Sequence, residues 1–127
     1  MRGIAKVFFA SAVAYGLLGM ALGLDMAMRH DHGELVTHAH ILVVGWLSFA
    51  IFGFFYHLLG QAVPHWLGLA HVCLAQVSTA VMIAGLWLYY GGATQYEPAA
   101  AIGALGYAAS FVLFAAAAVL GMRERAA

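Results

Sequence analysis

The stretch "GELVTHAHILVVGWLSFAIFGFFYHLLG", Gly33 to Gly60, decides the fold. From Val36 onward it is apolar for about the 20 residues that an α-helix needs to cross a bilayer core. Two histidines, His38 and His40, stand at its head, and a third, His57, at its foot. An ionisable ring inside a membrane span is costly and normally has a partner. The stretch therefore predicts both a membrane helix and a polar site at its mouth.

Three further apolar runs surround it. The four spans fall at roughly 4–28, 36–60, 66–91 and 98–121, each long enough to cross a bilayer. The breaks "RHDHGE", "GQAVPH" and "GGATQYEP" carry the Gly, Pro and charged residues of short connections. Connections this short force each helix to pack antiparallel beside its predecessor. The expected fold is all-α: one integral-membrane antiparallel four-helix bundle over residues 1–127.

Composition points the same way. The chain is 65% hydrophobic and only 8% charged, where a soluble domain carries about 25% charged residues. The formal net charge is zero and there is no basic patch, which argues against a nucleic-acid partner. Cys73 is the single cysteine, so no internal disulfide forms; lying in an apolar run, it reads as a small core residue.

The N-terminal "MRGIAKVFFASAVAYGLLGMALGL" imitates a secretory signal, with Arg2 and Lys6 ahead of an apolar run. The run is longer than the usual h-region of about 7–15 residues, so it reads as a retained span that acts as its own insertion signal. Arg2 and Lys6 before the first span and Arg123 and Arg125 after the fourth place both termini on the cytoplasmic side. Arg29 is the one dissenting cation. Gly16, Gly19 and Gly23, with Ala12 below them, form a small-residue strip along the first span, where a neighbouring helix or a flat cofactor can approach closely.

Topology sorts the seven histidines by depth. His30, His32, His38 and His40 belong to the outer end, and His57, His65 and His71 to the inner end. His40 and His71 are separated by roughly 20 Å or more at 1.5 Å per residue, so the sets cannot share one metal ion. His30, His32, His57 and His65 read first as solvated interfacial side chains. On a regular helix His38 shares a face with Gly45, Phe49, Phe52, Gly53 and Tyr56, which suits a bundle interior or a porphyrin plane. His40 points about 200° away, along the bulky row Val44, Leu47, Ile51, Phe55 and Leu58. Neutral imidazole ligates haem iron, copper and zinc. Zinc or copper alone wants three or four close ligands, whereas haem wants one or two axial ligands and long apolar contacts. One histidine per face beside an aromatic strip fits haem better. It would be haem b, because the chain has no C-x-x-C-H attachment motif.

The segment "VTHAHILVVGWLSFAIFGFFYHLLG" also resembles the second transmembrane helix of the catalytic subunit of haem–copper oxidases and nitric oxide reductases. With "AHVCL" in the third span and "GLLGMALG" in the first, the whole chain is similar to short four-span bacterial membrane proteins labelled oxidase subunit I-like. The resemblance implies a bacterial cytoplasmic-membrane location, and an axial haem ligand where the histidine opens the helix. That ligand is His38 or His40: the spelling around "HILVV" favours His40, while the spacing to the later Gly and Tyr residues favours His38. Position 42 is Leu where the relatives tend to have Asn.

Four spans cannot rebuild the six-histidine centre of a full oxidase. The haem would be five-coordinate or shared with a neighbouring protomer. Alternatively, copper would sit close by on His30, His32 and the free member of the His38/His40 pair, with Asp31 or Glu34 assisting. The expected role is redox, either electron transfer or binding of O₂ or NO, with no catalytic acid or base in view. The alternative is a copper-binding or assembly protein without haem. Expected partners are membrane lipid, an electron-transfer protein and further copies of the chain in a parallel dimer or trimer.

Overall fold

With no water to satisfy them in a bilayer core, backbone N–H and C=O groups must pair within the segment, so apolar runs of this length become helices. The computed structural model describes residues 1–126, with side chains through Arg123; the side chain of Arg125, named above for orientation, lies outside that range. Helix α1 is Gly3–Arg29. The second span opens as α2, Leu35–His40, runs without a break through a π-helical segment, Ile41–Ser48, and continues as α3, Phe49–Leu59. Helix α4 is His65–Tyr90 and α5 is Glu97–Ala126. Gly3–Arg29, Leu35–Ala62, His65–Tyr90 and Thr94–Arg123 are each long and apolar enough to cross a membrane, close to the spans expected. They pack antiparallel.

Local chemistry sets the ends. Helix α1 stops at His30, which turns left-handed (φ 53°) while the Asp31 N–H closes on the Met26 carbonyl at 3.2 Å. Arg29 in that last turn suits the negative end of the helix dipole. Its Nε lies 2.8 Å from Asp25 Oδ1, so the cation that dissented from the charge pattern has its own counter-ion. Pro64 directly precedes α4, and Pro98 sits in the first turn of α5, where a missing N–H costs nothing.

The bundle is assembled from two close hairpins. Helix α1 packs along the second span, and α4 packs along α5. In the α4–α5 pair, a Cβ at Gly85 would lie 2.8 Å from Ala100 Cα, and one at Gly103 would lie 2.5 Å from Met82 Cα. The two backbones touch, and only glycine allows it. An aromatic core joins the hairpins: Phe8 is fully buried against Phe49, Phe52 and Tyr56, and Phe52 in turn meets Phe114 of α5, with ring centroids 4.5 Å apart, and His71 of α4, at 4.7 Å.

Two expectations are corrected. Cys73 is exposed, on the side of α4 away from the core. An apolar helix in lipid pays nothing for an outward Cys, so apolarity of the run did not imply burial. The face expected for His38 assumed a regular α-helix. Gly45, Phe49, Phe52, Gly53 and Tyr56 are buried as expected, but the strip then continues through Ile41 and Thr37. The π turns hold i→i+5 bonds and take in more residues each. They shift the phase by about one position, leaving His38 half-buried at the edge of the strip.

Candidate functional site

Two histidine environments are built, one at each end of the bundle. At the end formed by residues 30–34 and 91–96, the α1 glycine strip receives the second span. Gly16 faces Trp46, Gly19 faces Leu42 and Ile41, and Gly23 faces His38. His38 Cε1 lies 2.8 Å from the place a Cβ on Gly23 would occupy, so the ring rests where that side chain is missing. Its Nδ1 is 2.9 Å from the Gly19 carbonyl oxygen. A carbonyl only accepts, so Nδ1 carries the proton, and the Nε2 of the neutral ring keeps its lone pair. His40 reaches the same electronic state by a shorter route, with Nδ1 donating to the Val36 carbonyl at 2.8 Å. Both imidazoles are half-buried, and both have the second ring nitrogen available as an electron-pair donor.

The loop histidines are less organised. His30 and His32 are exposed. Asp31 Oδ1 accepts the Gly33 N–H at 2.9 Å, and Glu34 Oε2 accepts the Thr37 hydroxyl at 2.6 Å, so both carboxylates are engaged in local turns. Among the described residues no three of His, Cys, Asp and Glu are grouped to hold a metal ion. Further along the α1 strip, Gly16, Met20, Leu42 and Trp46 line an apolar groove of about 290 Å³, and His38 is not among its lining residues. Between α1 and α4 lies a larger apolar cleft of about 710 Å³, lined by Tyr15, Leu22, Ile41, Ile83 and Trp87, with Asp25 at its rim.

At the other end His57 and His65 are exposed, in keeping with solvated side chains. His71 differs. It is fully buried, with ring centroids of Phe52 at 4.7 Å, Phe8 at 4.9 Å and Phe114 at 5.6 Å. Its Nδ1 is 2.9 Å from the Tyr56 hydroxyl, and its Nε2 has no hydrogen-bond partner. Reading by depth gave His71 no task. The signal was present in its phase: Leu67, Gly68, His71, Val72, Ala75, Ser78, Thr79 and Met82 share one buried strip of α4.

This pair carries a stability prediction. Tyr56→Phe strands Nδ1 beside Nε2 in an apolar cage and is expected to cost about 1–3 kcal/mol. Tyr56→Phe with His71→Leu removes the polar atoms altogether and is expected to be more stable than Tyr56→Phe alone, because deleting both partners is far cheaper than deleting one. Thermal unfolding in detergent compares the two proteins.

No protein-family model, curated protein or solved structure matches the chain.

Proposed function

We propose that this chain is a haem b-binding membrane protein with His38 as the axial ligand and a redox role in electron transfer or binding of a diatomic gas. One observation carries the reading. The His38 ring is held over Gly23 with its Nδ1–H on the Gly19 carbonyl, which presents Nε2 as the free donor. Metal-binding imidazoles are characteristically oriented by such a bond from the other nitrogen to a carbonyl or carboxylate. Haem would supply the redox chemistry, and the protein would set ligation and polarity.

The surroundings fit a group that needs apolar walls and a single strong ligand. They fit a bare copper ion less well, since among the described residues no three of His, Cys, Asp and Glu are grouped. The apolar groove on the same α1 strip, at about 290 Å³ and not lined by His38, falls just below the size of ordinary ligand sites, about 300 to 1,000 Å³, so one protomer does not enclose a porphyrin by itself. A parallel homo-oligomer, with a second protomer closing the groove and using its half-buried His40, is therefore part of the proposal, as is a cytoplasmic position for both termini.

The test is an absorption spectrum of the detergent-purified protein from haem-replete cells, with native mass spectrometry of the same sample. A Soret band and a dimer or trimer mass are expected. A colourless protein that stays colourless after haem addition rules the reading out, and a clean monomer retaining full haem rules out the oligomer.

A further inference from the structure

The end of the bundle that carries the termini holds a cavity of about 440 Å³ between the start of α1 and the end of the second span. Its polar lining comes from two separate segments: Arg2 on one side, and Tyr56, His57 and Gln61 on the other, with Met1, Ile4, Ala5 and Gly60 completing the wall. We infer that this cavity binds the phosphate of an anionic phosphoester, either the headgroup of an anionic lipid or a free phosphate.

The charge distribution argues for an anion. Asp25, Asp31, Glu34 and Glu97 all lie at or next to the opposite end of the bundle, in the turns that join α1 to α2 and α4 to α5 or beside them. The end with the cavity carries Arg2 and Lys6 at the start of α1 and, in sequence, Arg123 and Arg125 around the fifth acid, Glu124, so its cations outnumber its single carboxylate. The one salt bridge among the described residues is Arg29–Asp25, at the far end, and Arg2 makes no hydrogen bond or ion pair with a described residue. An unpaired guanidinium offers a planar fork of donors that matches phosphate oxygens bidentately. His57 adds an imidazole and Gln61 an amide, each able to donate.

Tyr56 closes the back of the cavity. Its hydroxyl is held by His71, and Gly68 leaves space beside the ring, with the Tyr56 Cε1 atom 3.4 Å from the position of an added Cβ. The wall is therefore preorganised, while the donors at the mouth remain available. A phosphate at a helix end lies at headgroup depth, where basic pockets between membrane helices bind anionic lipid. The inference is independent of haem and of which side of the membrane the termini occupy.

The experiment titrates delipidated protein in neutral detergent with phosphatidylglycerol, phosphatidylcholine and inorganic phosphate, read by native mass spectrometry. One phosphatidylglycerol is expected to bind at least about tenfold more tightly than phosphatidylcholine, whose choline cancels the phosphate charge. Arg2→Gln with His57→Gln should abolish that difference without changing the thermal midpoint, whereas Lys6→Gln, outside the cavity wall, should keep it. Displacement of the lipid by millimolar inorganic phosphate, or binding of phosphate alone, identifies a soluble phosphate as the ligand; lipid that resists displacement identifies the headgroup. Equal binding of the two lipids with no uptake of phosphate overturns the inference. So does an unchanged preference in the Arg2→Gln/His57→Gln protein.

Discussion

His38→Ala protein is expected to lose the proposed haem b spectrum completely, while His57→Ala protein keeps it. The expectation rests on how differently the two rings are held. His57 is exposed at the far end of the second span. His38 is seated on the α1 glycine strip, with its protonated nitrogen fixed and the other free. An alanine there removes the donor and leaves the strip unfilled. Gly23→Ala is the subtler companion: its Cβ would come within 2.8 Å of His38 Cε1, so the ring must move. A shifted or weakened Soret band is expected from it, rather than a lost one. If His40→Ala removes the band and His38→Ala does not, the axial ligand is His40. If His57→Ala alone removes it, the haem lies at the other end and the proposal fails.

The largest loss of stability is expected from Gly103→Leu. Inside a bilayer, apolar burial does not drive helices together, so close van der Waals packing along small-residue seams carries much of the association. At Gly103 an added Cβ would meet the Met82 backbone, which cannot swing aside as a side chain does. Overpacking ordinarily costs about 1–3 kcal/mol when neighbours can adjust; here α4 and α5 must separate, and about 3 kcal/mol or more is expected. Leu105→Ala, on the same helix but 72% exposed, should stay within about 0.5 kcal/mol of the parent. Thermal or denaturant unfolding in detergent compares them. Equal midpoints for the two variants would mean that the seam does not hold the hairpin.

The sequence was informative where residue type and geometry are tightly coupled. Runs of apolar residues near bilayer length became the four helices, and Gly16, Gly19 and Gly23 mark where the second span lies on α1. It was less informative about phase. The second span is apolar nearly all round, so no polar face reveals its rotation, and nothing in "ILVVGWLS" announces a π turn by Pro or charge. That is why Thr37 and Ile41 are buried where the regular period put His38. The α4–α5 seam was hidden for a related reason: α5 is so rich in Ala and Gly that the contacts at Gly103 and Gly106 do not stand out from their neighbours. His71 was obscured by sorting on depth alone, which says how far a residue is from the surface but not which way it points.

The π-helical segment has a consequence for how this span tolerates changes of length. An i→i+5 turn is an α-turn with one more residue stored in it. Losing a residue between Ile41 and Ser48 can be absorbed by relaxing that turn to α, and the aromatic core below keeps its orientation to Thr37 and His38 above. The same deletion between Phe49 and Tyr56 would rotate everything beyond it by about 100° and pull Phe52 or Phe49 off Phe8. Ile41–Ser48 thus acts as an expansion joint, allowing the histidine rim and the aromatic core to diverge in spacing without losing alignment.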